Sequence, residues 1–259
     1  MPGIEQVKFA GLGGTVLAGT VDLPDTQVRA WAVFCHGFAL GKNSAAAARI
    51  SKALARHGIG VLRYDAAGIG ASTGDWHDGT FTTKVAEIGC AARFMRETGR
   101  TISLLIGHSL GGAAVLDAAP DLDEVDAVVT VGAPFEPRHV VHLFDHVLDD
   151  VLAHGAADIT LGGKRLRIRR QLVHDLEQAD LTARIASLDR PLLVMHSPTD
   201  STVGVENAGR IFQAARHPKS FISLEGSDHL LTDRVQSDRA GLIIAAWANQ
   251  YLELEDPIG

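Results

Sequence analysis

The stretch "LIGHSLGG", residues 105–112, sets Ser109 between glycines two positions before and two after it, with an apolar run leading in and an alanine-rich run leading out. Strand, sharp turn, helix is the context in which G-x-S-x-G works as a nucleophile elbow. The turn lifts the hydroxyl clear of the sheet, while Gly107 and Gly111 let strand and helix approach closely around a strained serine backbone. A phosphate-binding loop is the rival reading of such a turn, but neither G-x-x-x-x-G-K-[ST] nor G-x-G-x-x-G is present here.

A serine hydroxyl is a weak nucleophile, so it needs a base, and the base needs an acid that orients it and stabilises the imidazolium. Twelve histidines are available, and His108 is the nearest. Adjacent side chains on a sharp turn diverge, so His108 is expected to pack and hydrogen-bond rather than act on Ser109. The expected base is His229 in "LEGSDHLL", just past the last strand-like run. The expected acid is Asp200 in "VMHSPTDSTV", with Glu136 in "GAPFEP" as the alternative, because it too follows a strand end. Asp228 should point away, and His196 reads as structural. The plain reading of His229 is a surface-loop histidine.

A tetrahedral intermediate also needs backbone N–H donors aimed at its developing charge, each worth about 2.7–4 kcal/mol in enzymes where one has been removed. Leu110, next after the nucleophile at the positive end of its helix, should supply one. Phe38 in "FCHGFALGKNS" should supply the other and wall the acyl pocket with its ring; the bland alternative is an ordinary strand-to-helix turn. Leu143, Phe144, Val203 and Leu230 complete the expected pocket lining.

These residues need a scaffold that brings distant loops to one edge. "VKFAGLGGTVLAGTVDL" reads as two strands around a glycine-rich turn with no helix behind it, hence no dinucleotide site. From "RAWAVFCHG" onward, short continuously apolar strands alternate with helices: "NSAAAARISKALARHG" has a polar N-cap and a terminal glycine, and "GVLRYD", "ISLLIG", "VDAVVTVGAP", "RPLLVMHSP" and "KSFISLEG" read as strands. The pattern predicts an α/β fold, a mainly parallel sheet covered by helices on both faces with an antiparallel hairpin at its N-terminal edge. Function then belongs at the carboxyl ends of the strands. Residues 135–190 break the rhythm with two polar helix-like segments around "DITLGGKRLRIRR", where Gly162-Gly163 looks like a hairpin turn. They read as a cap inserted into one domain of residues 1–259, whose core is 1–134 and 191–259. The tail "LELEDPIG" should fray.

With 259 residues, 46% of them hydrophobic, the chain can bury a large core. A net charge of −7 disfavours nucleic acid and anionic membrane as partners and leaves a small molecule. Cys35 and Cys90 show neither metal-ligand spacing nor a disulfide framework. "MPGIEQVKFAGLGGTVLAGT" lacks a basic start before an apolar block, and no run reaches membrane-spanning length, so a cytoplasmic protein is expected. A homodimer is compatible with the sequence.

Taken together, "HGF", "RYDAAGIGASTG", "GHSLGG", "SPTDSTV" and "GSDHLL", in that order over roughly residues 4–252, resemble the α/β-hydrolase family. The resemblance implies nucleophile Ser109, acid Asp200, base His229 and oxyanion donors Phe38 and Leu110, with no cofactor; Asp65, Gly68, Gly70 and Ser72 match a structural loop. More narrowly, "GAPFEPRHVVHLF", "IRRQLVHDLEQADL" and "ARHPKSFISLEGSDHLL" resemble the hydrolase half of bacterial fusions with an osmotically induced, OsmC-type peroxidase domain. That second domain is not part of this sequence, so its redox chemistry is not carried over.

Other features have plainer readings. His139, His142 and His146 recur at helical spacing near Asp145 and Asp149, but a zinc site would bring a clearer ligand set, so no metal is expected and a solvated or pocket-lining face is preferred. Arg165, Arg167 and Arg169 alternate along one strand as a solvated surface would. The sequence therefore predicts a serine hydrolase, a carboxylesterase acting on small acyl esters through an acyl-serine intermediate. Thioester or amide cleavage by the same groups is the alternative, and a non-catalytic binding protein on the same fold is the alternative of another class.

Overall fold

A strand that is apolar at every position must be covered on both faces, because successive side chains point to opposite sides of the sheet. The computed structural model, which describes residues 3–252, shows this directly. Strands β1 (Gly3–Ala10), β2 (Val16–Leu23), β3 (Ala30–Cys35), β4 (Ile59–Tyr64), β5 (Leu104–His108), β6 (Ala127–Val131), β9 (Leu192–His196) and β10 (Lys219–Ser223) form one eight-stranded sheet, ordered β1-β2-β4-β3-β5-β6-β9-β10. From β4 to β10 every neighbouring pair is parallel, and β2 runs antiparallel to both β1 and β4. The strand at the elbow ends one residue later than the glycine pattern suggests, at His108.

The alternation splits the core in two. Ala32 and Phe34 of β3, with Leu104 and Ile106 of β5, pack on the face covered by α1 (Ala45–Arg56) and α8 (Arg234–Ala248). Val33, Cys35 and Leu105 pack on the other face, against α2 (Phe81–Glu97) and α3 (Leu110–Ala118). The chain leaves β3 toward β4 and later returns to the opposite side of β3 to lay down β5. The strand order thus reverses at β3, and the crevice outside the carboxyl ends there is the place where open α/β sheets bind ligands.

Between β6 and β9 the chain adds α4 (Leu148–His154), a hairpin of β7 (Ala156–Leu161) and β8 (Lys164–Arg169), α5 (Arg170–Gln178) and α6 (Thr182–Ala186). The hairpin turns through Gly162 and Gly163 at φ +56° and +76°, values that glycine adopts without strain. Arg165 and Arg167 reach Asp158 across the hairpin at 3.4 and 3.1 Å, and Arg169 pairs with Asp78. The inward residues do not form a separate core. Phe144, Ile159, Ile168, Leu172, Val173 and Leu176 join the cluster that also contains α2, α3 and the sheet. Thr82 at the start of α2 donates to Asp175 of α5 from its backbone N–H (2.9 Å) and its hydroxyl (2.6 Å), and Arg184 of α6 pairs with Asp117 of α3 at 2.8 Å. No helix among the described residues is long and apolar enough to cross a membrane. The predicted fraying of the tail falls, from residue 253 on, outside the described residues.

Because the insertion shares the central core, Ile168→Ala should cost roughly 2–5 kcal/mol and shift a single unfolding transition. Denaturant unfolding followed by fluorescence and circular dichroism checks this; a separate low-stability transition would show that the insertion folds apart.

Candidate active site

Where β5 meets α3, backbone and packing conspire to expose one hydroxyl. Ser109 sits at φ +55°, ψ −129°, a left-handed conformation that costs a non-glycine residue of order 1–3 kcal/mol. Its N–H is tied to Val131 O at 2.9 Å. A Cβ on Gly107 would lie 2.2 Å from Gly111 O, and one on Gly111 would lie 2.2 Å from Cys35 O. Both positions are closed to any side chain, so the glycines of the motif are required by contact between backbones.

The histidine that meets Ser109 is His229. The Ser109 hydroxyl donates to His229 Nε2 at 3.0 Å, and His229 Nδ1–H donates to Asp200 Oδ2 at 2.7 Å. Asp200 follows β9 and His229 follows β10, so two parallel strands deliver both loops to the edge where the elbow lies. The other oxygen of Asp200 accepts the backbone N–H groups of Thr202 and Val203, each at 2.9 Å, a turn in which an aspartate folds its own following backbone. Burial works to raise the Asp200 carboxyl, but the bonds from His229, Val203 and Thr202 outweigh it and hold the group below the usual carboxylate range. Glu136 is elsewhere, in a surface ion pair with Arg210. Asp228 caps its own turn, accepting from Thr232 N–H at 3.0 Å.

A second tier of residues fixes these loops. His108 is fully buried and donates from Nε2 to the backbone carbonyl of His229 at 2.7 Å. His196 donates to Val203 O at 2.8 Å. The Ser197 hydroxyl donates to Ser227 O at 2.6 Å, joining the acid loop to the base loop. Sequence reasoning gives His108 and His196 structural roles without identifying what they hold, because both partners are backbone carbonyls in loops, which residue type does not mark. It did not single out Ser197, although a serine between strand end and acid in "HSPTD" was a signal for a cross-loop bond.

Phe38 and Leu110 lie beside Ser109: a Cβ on Gly37 would come within 3.0 Å of Ser109 Cβ, and Leu110 is the first residue of α3. The Leu110 N–H belongs to the first turn, which has no intrahelical acceptor. A small cavity of about 10 Å³ at the serine is lined by Ser109, Leu110, Pro134, His139, Val140, His142, Leu143, Thr202 and Val203. Of the residues expected to line a pocket, Leu143 and Val203 border this cavity, and Phe144 and Leu230 do not. Phe144 is fully buried, its ring 6.0 Å from that of Phe38, and supports the Phe38 ring from beneath. Leu230 is 44% exposed because Leu231, at φ +50°, takes the inward position instead. His139 donates from Nε2 to Thr202 O at 2.9 Å, and its ring lies tilted against that of His142 with centres 4.7 Å apart. His146 is exposed. Among the described residues, Asp75, His77 and Asp78 are the group of potential metal ligands that converge, away from these histidines. In the "RYDAAGIGAS" loop, Asp65 accepts Lys42 N–H at 2.8 Å and Ala71 N–H at 3.2 Å, and a Cβ on Gly70 would strike its carboxylate.

The Hydrolase_4 family, described as "Serine aminopeptidase, S33", matches residues 26–178. Among solved structures, the chain is similar to the esterase domain of a Rhodothermus marinus protein, with 43% identity over 96% of this chain and 99% of that one and a TM-score of 0.78. Est1E from Butyrivibrio proteoclasticus, solved with ferulic acid bound, shares the fold at 16% identity, covering 95% of this chain and 98% of that one with a TM-score of 0.77. The human protein ABHD12B (Homo sapiens) is 28% identical over 190 residues, 71% of this chain and 49% of that protein, so the chain spans about half the length of this curated relative.

Burial lowers the pKa of His108 to about 4, aided by repulsion from His229 and opposed by its bond to the His229 carbonyl. The unfolded chain takes up this proton near pH 6.5, so between the two values it binds more protons than the folded protein. The contribution of His108 is complete above pH 6.5 and is lost, by roughly 3 kcal/mol, as the pH falls toward 4. Unfolding free energies at pH 7 and pH 5 should therefore fall less steeply in His108→Asn than in the wild type; parallel falls would assign the acid sensitivity to other groups.

Proposed function

We propose that this chain, which belongs to the Hydrolase_4 (serine aminopeptidase, S33) family of α/β-hydrolases, is a carboxylesterase that cleaves esters of small acyl groups through an acyl-Ser109 intermediate. The observation that carries the reading is the hydrogen-bonded line from Ser109 through His229 to Asp200, at 3.0 and 2.7 Å. The 43% identity to an esterase domain supports the choice of ester.

In this reading the Ser109 hydroxyl attacks the ester carbonyl carbon while His229 Nε2 takes its proton, and Asp200 stabilises the resulting imidazolium. The carbonyl oxygen, now negative, is received by the N–H groups of Phe38 and Leu110. His229 returns the proton to the leaving alcohol. It then activates water against the acyl-serine, and the acid leaves with Ser109 restored. The insertion acts as a cap: Leu143 and the neighbouring histidines border the serine, and Lys164 at the hairpin reaches Ala39 O in the oxyanion turn at 3.3 Å. A second reading, amide cleavage at a free amino terminus, is favoured only by the family's description as an aminopeptidase. The same groups would perform it with an amine as leaving group.

A panel of chromogenic esters from acetate to octanoate, run beside amino-acid 4-nitroanilides, separates the two. Ester turnover should be the faster, and Ser109→Ala should lower it by roughly 10⁴-fold or more; turnover that survives the substitution would sink the mechanism. Asp200→Asn should also cost several orders of magnitude while Glu136→Gln leaves kcat unchanged, and the reverse pattern would exchange the acid. Leu143→Ala should widen the cavity at the serine and raise the relative rate on esters of bulkier alcohols, and an unaltered alcohol profile would remove Leu143 from the pocket.

A further inference from the structure

A second cavity lies between the "HGF" turn and α2, and the steps above leave it unused. It measures about 60 Å³, several times the cavity at Ser109, and has room for a short chain rather than a single water. Phe38, Trp76 and Phe81 wall it, the first two meeting edge-on with ring centres 5.5 Å apart. Leu110 lines this cavity and also the one at Ser109, so the two are neighbours across a single side chain.

His36, Thr80, Thr83, Lys84 and Glu87 are the polar side chains that line it, and among them the Glu87 carboxylate stands out. It is 4% exposed; its Oε1 accepts the Ala67 N–H at 2.9 Å, and its Oε2 is buried with no hydrogen-bond partner. Native structures leave few buried polar atoms without a partner, and each such atom calls for an explanation. Burial raises the carboxyl, eased by the Ala67 bond and by Lys84, one turn earlier on α2 and lining the same cavity. That pairing restricts the ligand. An ammonium group would be repelled by Lys84 and a carboxylate by Glu87, whereas a hydroxyl can donate to one and accept from the other.

Orientation follows from the chemistry at Ser109. The cavity that includes Thr202 and Val203 adjoins Asp200 and His229, the side from which the leaving oxygen collects its proton. The space beyond Phe38 and Leu110 is then left for the acyl chain. Resting on the serine-esterase reading, we propose that this cavity is the acyl subsite, that it selects short acyl groups ending in a hydroxyl, and that Glu87 determines the selection.

Ethyl 6-hydroxyhexanoate and ethyl heptanoate place the same number of non-hydrogen atoms beyond the carbonyl and differ only in the terminal group. Followed by pH-stat titration, the wild type should favour the hydroxy ester in kcat/KM by about tenfold or more. Glu87→Gln, which can still bond both Ala67 and a hydroxyl, should keep most of that preference, and Glu87→Leu should reverse it. Lys84→Met, at a half-buried surface position, should weaken it and serves if Glu87→Leu does not fold. Equal rates on the two esters in the wild type, or a parallel loss on both in every variant, would overturn the proposal. Calorimetric binding of the two esters to Ser109→Ala reads the subsite without turnover. Preferential binding of the hydroxy ester by a protein that hydrolyses no ester would keep the subsite and sink the esterase; hydrolysis with no preference in either measurement would do the opposite.

Discussion

The contact on which the site depends is between two pieces of backbone. At the elbow, Gly107 meets Gly111 O and Gly111 meets Cys35 O so closely that a methyl group would fall within 2.2 Å of either oxygen. This fit holds α3 against the ends of β3 and β5, and it is what keeps Ser109 at φ +55°. Left-handed backbone at a serine persists only where its surroundings leave no alternative. Here the surroundings are glycines on both sides, the Val131 carbonyl and a helix that starts at the next residue.

Around that fixed hydroxyl the remaining groups arrive by topology. β9 and β10 lie side by side and parallel, so the loops carrying Asp200 and His229 leave the sheet at one edge next to each other. The reversal of strand order at β3 opens the crevice into which the "HGF" turn folds. Aromatic packing then shapes that crevice: Phe144 lies beneath Phe38, and Phe38 meets Trp76. The insertion contributes to this shape because its inward residues belong to the same apolar cluster as α2 and α3.

Much of this was legible in the residues, for identifiable reasons. Short, fully apolar runs separated by helices encode a covered parallel sheet, and the elbow glycines encode their own contact. The order Ser109, Asp200, His229 could be read because each follows a strand end. The side of a loop was not legible. Leu230 and Leu231 are identical in type, and only the left-handed backbone at Leu231 decides which one turns inward. Phe144 is expected in the pocket beside Leu143, and the structure buries it in the apolar cluster instead. Nothing in the residues around Glu87 marks it, since its bond to Ala67 joins parts of the chain 20 residues apart.

The Ser197–Ser227 bond makes the placing of the two loops redundant. It joins them independently of the Asp200–His229 pair, and His108 grips the His229 backbone from the sheet. Breaking the side-chain bond between Asp200 and His229 therefore leaves both loops held by other contacts, so the imidazole can lose its partner without losing its place.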